Sequence, residues 1–308
     1  MPHASLSEYL HARRAEIDAA LEAALPRPPD CPAPVADAMR YSVTAGGKRL
    51  RPILCLASAD AVGGDRALAM PAACAIELIH TYSLIHDDLP AMDNDTMRRG
   101  RPTLHVVAGE GMAILAGDGL LTEAFALLAR LPDTRDPDVS ARKLRVVAIV
   151  AAAAGPAGMV GGQAIDLSCV TPDPGGHRAP PLGADDLRAM HARKTGALIR
   201  ASAVAGATMA GAGGRAVAAI DVAAAELGLA FQIVDDVLDV EGASASLGKT
   251  AGKDAAAGKP TYPSLYGIDA SRRMAAECLA RADAALRSAA IADSRLTEIG
   301  RWIVERSH

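Results

Sequence analysis

The chain has 308 residues, half of them apolar, and a formal net charge of −4 at pH 7. That apolar content excludes a disordered tail protein, and the acidic balance argues against a nucleic-acid binder held by phosphate charge. Aromatic residues make up only 3%, and strand-length runs of β-branched and aromatic residues are nearly absent. Ala, Leu and Arg dominate, all good helix formers, so the chain reads as all-α. No strand–helix alternation of the Rossmann kind is visible.

Taken in order, the pattern predicts a first helix over 4–25, stopped by Pro26, Pro28 and Pro29. A second starts near Ala33 and stops at Gly46-Gly47, glycine being a common residue just past a helix. Pro52 opens a third, which ends at Gly63-Gly64. A strongly apolar helix covers 70–88, followed by a polar loop over 89–102. Helices are predicted at about 109–130, 138–154 and 157–168. Thr171–Gly183 is rich in Pro and Gly and reads as a surface loop. Helices resume at about 185–211 and 215–240, and a Gly/Lys/Asp loop over 241–260 precedes two or three final helices. Neither a fixed-period repeat nor a domain-splitting linker is visible, so the expectation is a single domain over 1–308, a bundle of about ten or more helices.

Five cysteines, with no CxxC pair, fit buried, inert thiols in a reducing cytoplasm. The charged N-terminus lacks the apolar stretch of a signal peptide. The uncharged run Val146–Ile165 is long enough to span a bilayer but is alanine-rich and broken by Pro156, so a buried helix is expected, and no membrane span.

Two acidic clusters stand out. Asp87-Asp88 is followed by Asp93 and Asp95, and Asp235-Asp236 is followed by Asp239. Each falls at the C-terminal end of an apolar helix, where the dipole is negative and disfavours carboxylates. Bound cations would explain them, and oxygen-only donors favour Mg²⁺ or Ca²⁺ over zinc. Asp235 and Asp239 are i and i+4 and share a face. Asp87 and Asp93 would diverge on a continuous helix, but Pro90 must break it, and a loop can carry Asp93 back toward Asp87. Either cluster alone could be a solvated helix end; two at matching positions point to metal. An EF-hand does not fit, since the turn glycine and the twelfth-position glutamate are missing.

Basic residues lie close by. Arg98, Arg99 and Arg101 follow the first cluster, and Lys249, Lys253 and Lys259 follow the second. Gly46-Gly47-Lys48-Arg49-Leu50-Arg51-Pro52 sits at a helix start, which suits an anion. Arg forks and Lys point charges match phosphate oxygens. Acidic metal sites beside phosphate-type basic sites fit a diphosphate bridged through Mg²⁺. A P-loop is absent, which disfavours ATP hydrolysis.

The strings HDDLPAMDNDTMRRGRPTLH (86–105) and FQIVDDVLD (231–239) resemble the two aspartate-rich motifs of the trans-isoprenyl diphosphate synthases, or polyprenyl synthetases. The first has the two extra residues of the bacterial farnesyl diphosphate branch. GGKRLRP (46–52), ELIHTYSLIHDD (77–88), GGQAIDL (161–167), KTGALI (194–199) and GKPTYP (258–263) match in order and spacing, over nearly the whole chain.

The resemblance implies the isoprenoid synthase fold, in which helices surround a central active-site cavity. It also implies head-to-tail condensation of isopentenyl diphosphate with allylic diphosphates (dimethylallyl, geranyl). Asp87, Asp93 and Asp235 would hold Mg²⁺, with Asp88, Asp236 and Asp239 as supporting or partial ligands. Lys48, Arg51, His80 and Arg99 would hold isopentenyl diphosphate. Arg98, Lys194 and Lys249 would hold the allylic diphosphate, with Thr195 and Gln232 along the cation region. Lys259 would help close the second loop. Tyr82, with Ser83 beside it, would set product length by blocking the growing tail, giving the fifteen-carbon farnesyl product; the twenty-carbon product is the alternative. The family also implies a homodimer, to which Ala-rich helix surfaces would contribute.

A terpene cyclase or head-to-head synthase would lack a second diphosphate site such as Lys48, Arg51 and His80. A catalytically silent subunit would have eroded one aspartate cluster. A calcium-binding structural protein would respond to Ca²⁺ alone.

Overall fold

The computed structural model describes residues 5–170, 182–245 and 260–306, without the side chains of Val170 and of 243–245. Apart from two two-residue strands, the regular structure among the described residues is helical. Most of the loop Thr171–Gly183, much of the loop over 241–260, and Lys249, Lys253 and Lys259 lie outside the described residues.

α1 (Leu6–Ala24) starts at a capping box, in which the Glu8 N–H donates to Ser5 Oγ and the Ser5 N–H donates to Glu8 Oε2 at 2.7 Å. α2 (Ala33–Val43), α3 (Leu50–Ala61) and α4 (Arg66–Asp87) follow. α4 begins four residues earlier than its apolar pattern predicts. The Asp65 side chain caps it, accepting from the Ala67 N–H at 2.8 Å, and Pro71 is tolerated near its start. The polar loop contains a hairpin, β1 (Met97–Arg98) with β2 (Arg101–Pro102). Arg99 and Gly100 form its turn with φ of 52° and 74°, as a tight turn with two left-handed residues requires.

α5 (Leu104–Ala108), α6 (Glu110–Arg130), α7 (Pro137–Ala154) and α8 (Met159–Val170) come next. The helix predicted over 185–211 is α9 (Ala184–His191), a π-helical turn (Ala192–Gly196) and α10 (Ala197–Met209). α11 (Gly214–Ala245), α12 (Tyr262–Tyr266), α13 (Ile268–Ser288) and α14 (Arg295–Glu305) complete the description.

The chain forms two compact units, one of Met1–Val150 with Ala205–Ala212, the other of Ala151–Val204 with Gly213–His308. In the first unit α4 packs against α3 and α6. Its fully buried Leu and Ile side chains include Ile53, Leu54, Leu56, Ile76, Leu78, Ile79 and Leu120, each worth about 1.5–3 kcal/mol of transfer free energy. In the second unit α11 packs along α13, around Leu187, Met190, Ala230, Ile233, Tyr262 and Cys278.

None of the five cysteines forms a disulfide. Cys55, Cys74 and Cys278 are buried as expected, and burial pushes the Cys74 and Cys278 thiols up to about 12. Cys31 and Cys169 differ from the expectation, being partly exposed. Four helical stretches, including α4 and one across α7 and α8, are long and apolar enough to cross a membrane by length and composition alone. In α4, 67% of the apolar window is buried inside the protein.

Candidate active site

α4 ends at Asp87, and the loop beyond Pro90 turns back. The Asp93 N–H donates to the Asp87 carbonyl at 2.8 Å, and the Asp95 N–H to the Asp88 carbonyl at 3.2 Å. Asn94 makes the reversal in the left-handed region, at φ 52°. Thr103 Oγ1 donates to the Asp95 carbonyl at 2.7 Å and ties the far end of the loop. The backbone of Asp93 is thus returned to that of Asp87.

Asp88 behaves differently. It is 4% exposed, and the Arg98 guanidinium grips it, with Nε 2.8 Å and Nη2 2.7 Å from Oδ1. Burial raises its pKa, and outweighs the opposing pull of Arg98. Its carboxylate is therefore occupied by the arginine that the resemblance assigns to the allylic diphosphate.

The basic loop between α2 and α3 is set by Arg49, which sequence reasoning left without a role. Its backbone is left-handed at φ 50°. Its side chain is buried, donating to Asp18 at 2.8 Å, Glu77 at 2.8 Å and the Val43 carbonyl at 2.6 Å. With Arg49 anchored inward, Lys48 is left exposed and Arg51 half-buried. Arg99 donates to the Gly46 carbonyl, and its guanidinium lies across Gly47. A Cβ on Gly47 would fall 2.6 Å from Arg99 Cζ, and the backbone there, at φ +131°, excludes most other residues.

His80, on α4, faces this group. Burial first, then the positive charges of Arg51, Arg99, Arg98 and Arg49, push its pKa well below 6.5. A neutral imidazole among arginines leaves the cluster cationic and able to donate, as an anion site requires. His80 thus lies within electrostatic reach of Arg51 and Arg99.

Further along α4, Tyr82 is buried, and its ring meets that of His86 edge-on at 5.6 Å. Ser83 Oγ donates to the His80 carbonyl at 2.8 Å.

In the second unit α11 carries the other cluster. Asp235 accepts from Arg306 Nη2 at 2.6 Å; the same nitrogen reaches the Phe231 carbonyl at 3.0 Å, and the guanidinium lies over the Phe231 ring at 4.1 Å. Arg306 was not anticipated, because a lone arginine near a chain end carries no sequence signal. The only hint is that Phe231 and Asp235, at i and i+4, form one slot.

Asp236 is buried and accepts from Gln232 Nε2 at 2.8 Å and from the Tyr262 N–H at 3.0 Å. Gln232 Oε1 accepts in turn from Thr195 Oγ1 at 3.0 Å. Asp239 is half-buried. Lys194 forms an ion pair with buried Asp166 of the GGQAIDL motif, so that motif supplies a partner for Lys194.

Lys194 and Thr195 lie in the π-helical turn, whose wider coil differs from the α-helix on either side. Gly162 of α8 lies against it, where a Cβ would be 2.2 Å from the Lys194 nitrogen. A cleft is lined by Asp166, Met190, His191, Lys194, Gln232, Asp236, Pro260 and Thr261. His191 is 8% exposed, and burial lowers its pKa to about 4 despite nearby Asp166.

Among the described residues, no three or more His, Cys, Asp or Glu side chains are gathered closely enough to hold a metal by themselves. Mg²⁺ does not need such a cage: it keeps several waters and binds through one or two carboxylates plus substrate phosphates. Asp87 and Asp93 in the first unit, and separately Asp235 in the second, are oxygen donors of the kind such use needs.

The polyprenyl synthetase profile matches residues 32–292. The chain belongs to that family. Over 308 residues it is 44% identical to the farnesyl diphosphate synthase of Geobacillus stearothermophilus, covering the whole of both chains. It is 46% identical over 272 residues to the geranylgeranyl diphosphate synthase of Cyanophora paradoxa, covering 88% of this chain and 86% of that one. An FPP/GFPP synthase from Zymomonas mobilis superposes with a TM-score of 0.83 at 37% identity, covering 97% of this chain and 98% of the other. The polyprenyl synthetase match agrees with the all-helical architecture expected from composition.

Proposed function

We propose that this polyprenyl synthetase condenses isopentenyl diphosphate head-to-tail with dimethylallyl and then geranyl diphosphate, releasing farnesyl diphosphate. The 44% identity to a farnesyl diphosphate synthase over the whole of both chains carries the reading. His80, on which the charges of Arg51, Arg98 and Arg99 act, lies seven residues, about 10 Å along α4, before Asp87. A single-diphosphate enzyme such as a terpene cyclase has no use for a second cationic site at that distance from the acidic loop.

In this reading Lys48, Arg51, His80 and Arg99 hold isopentenyl diphosphate, while Arg98, Lys194 and Lys249 hold the allylic partner. Asp87, Asp93 and Asp235 hold Mg²⁺, supported by Asp88, Asp236 and Asp239. Bound magnesium supplies charge neutralisation that makes the diphosphate a better leaving group. The allylic C–O bond breaks, the isopentenyl double bond attacks the allylic cation, and the released pyrophosphate takes the proton. The protein's part is orientation, exclusion of water and dipoles placed for positive charge. Thr195 and Gln232 supply such dipoles, and no side-chain nucleophile is required.

Buried Tyr82 closes the path of the tail along α4, which favours the fifteen-carbon product. A twenty-carbon product is the second reading, supported by the similarity to a geranylgeranyl diphosphate synthase. The whole chain acts as one catalytic domain, soluble and cytoplasmic, and the apolar helices pack rather than span a membrane. Met97, Val106, Val107, Ile114 and Leu115 are all exposed in or near α5 and α6, and such exposed apolar side chains suit a homodimer. Labelled isopentenyl diphosphate with dimethylallyl diphosphate and Mg²⁺ tests the activity. A labelled fifteen-carbon diphosphate is expected; no labelled prenyl product would refute it.

A further inference from the structure

The chain-length reading leaves open what holds Tyr82 in place. A buried ring blocks a growing apolar tail only if it cannot turn aside, and an aromatic side chain turns aside by rotating about χ1 into free space. Tyr82 and His86 are i and i+4 on α4 and so share a face. Their rings meet edge-on, with centroids 5.6 Å apart and planes at 79°. His86 thus packs against the Tyr82 ring on that face.

His86 is itself held from the other side. On α6, Gly117 approaches so closely that a Cβ there would lie 2.2 Å from His86 Nε2 and 2.6 Å from Cδ2. The same Nε2 is 3.2 Å from the Ile114 carbonyl, one turn earlier on α6. The ring is thus seated in a notch that the missing side chain of Gly117 provides, with a hydrogen bond to fix its orientation. The contact is between the two helices that pack together in the first unit.

From this geometry we infer that His86 is a positioning residue for product length: braced on Gly117 and the Ile114 carbonyl, it locks Tyr82 across the path of the prenyl tail. The inference rests on the proposed prenyl chain elongation. His86 touches neither diphosphate in this account, and it acts through Tyr82.

The test is the chain-length distribution from labelled isopentenyl diphosphate and dimethylallyl diphosphate with Mg²⁺. Wild type and His86→Ala, His86→Gln and Gly117→Ala are compared. His86→Ala keeps Tyr82 but removes its brace, so twenty-carbon product is expected to rise at the expense of fifteen-carbon product. His86→Gln restores bulk and a donor for the Ile114 carbonyl, and should return the distribution toward wild type. Gly117→Ala drives the ring toward Tyr82 and should raise the ten-carbon fraction. A merely structural role would lower rate or melting temperature without moving this ratio.

Wild-type proportions from both active His86→Ala and active Gly117→Ala would overturn the inference. If His86→Ala has no turnover, Gly117→Ala decides alone, and wild-type proportions from it would overturn the brace. Wild type giving no prenyl product at all would instead overturn the activity on which the brace rests.

Discussion

Gly162→Ala tests whether the close approach of α8 to the π-helical turn matters for catalysis. The added Cβ would sit 2.2, 2.6 and 2.8 Å from the Lys194 nitrogen, Cα and Cβ. Two of those atoms are backbone and cannot swing away. Restoring ordinary contact, about 3.4 Å, requires a separation of roughly 1.2 Å between α8 and the segment carrying Lys194 and Thr195. Overpacking of this kind costs about 1–3 kcal/mol of stability. A displacement of about 1 Å in a positioned group costs about 100-fold in rate, or about 2.7 kcal/mol.

Gly228 is the internal comparison. A Cβ there meets Gly196 Cα at 3.1 Å, a gap that a few tenths of an ångström relieves. Prenyl-transfer kinetics and thermal melts of both variants make the assay. Gly162→Ala should lose about 100-fold in kcat/KM for the allylic substrate, and Gly228→Ala less than about tenfold. Wild-type kinetics in Gly162→Ala would show that the site tolerates movement of Lys194 and Thr195, and would refute the reasoning.

Two further outcomes follow from buried ionisable groups. His191 titrates near 4 in the folded protein, against 6.5 for an unperturbed histidine. The unfolded chain therefore binds the extra proton between those values, and stability falls as pH drops from about 6.5 toward 4, by about 3 kcal/mol in all. His80 contributes in the same direction, and Asp88, whose pKa is raised, opposes at the acidic end. Urea midpoints of wild type and His191→Phe at neutral and acidic pH should show the variant losing much of this acid sensitivity; an unchanged difference would refute the assignment. Glu77→Ala removes a partner of buried Arg49, which should cost about 3–5 kcal/mol and raise KM for isopentenyl diphosphate. A change in neither melting temperature nor that KM would show that Arg49 does not set the basic loop.

The acidic loop was legible because its constraint is local. Pro90 must break the helix whatever the rest of the chain does, and that break allows a loop to carry Asp93 back toward Asp87. The expectation that His80 works with Arg51 and Arg99 comes only through the resemblance, since the residues lie far apart in sequence. What the sequence hid is tertiary. Gly162 in GGQAIDL reads as one of several glycines until α8 is seen against Lys194. The π-helical turn interrupts a stretch whose periodicity predicts one helix. Arg49 is indistinguishable from its basic neighbours until Asp18 and Glu77 draw it inward. The apolar pattern places the start of α4 at residue 70 because its first turn is less apolar, whereas the Asp65 side chain caps it at Arg66.

The second cluster also orders the dipoles around it. An ionised carboxylate can only accept hydrogen bonds. Asp236 accepts from Gln232 Nε2, so the amide must turn its Oε1 away from the carboxylate. That oxygen accepts from Thr195 Oγ1, so the Thr195 proton is spent toward Gln232. Both hydrogen bonds of the chain Thr195–Gln232–Asp236 therefore run toward the aspartate, and the lone pairs of Thr195 Oγ1 are left for whatever lies beyond it. Such a chain is polarised with its negative end outward, and in a low-dielectric interior each link strengthens the next. On the proposed function, a developing allylic cation would be the charge this arrangement favours, with no reorganisation needed at the moment of bond cleavage. On that same reading, Asp236 would then serve the reaction through the direction it imposes on Gln232 and Thr195.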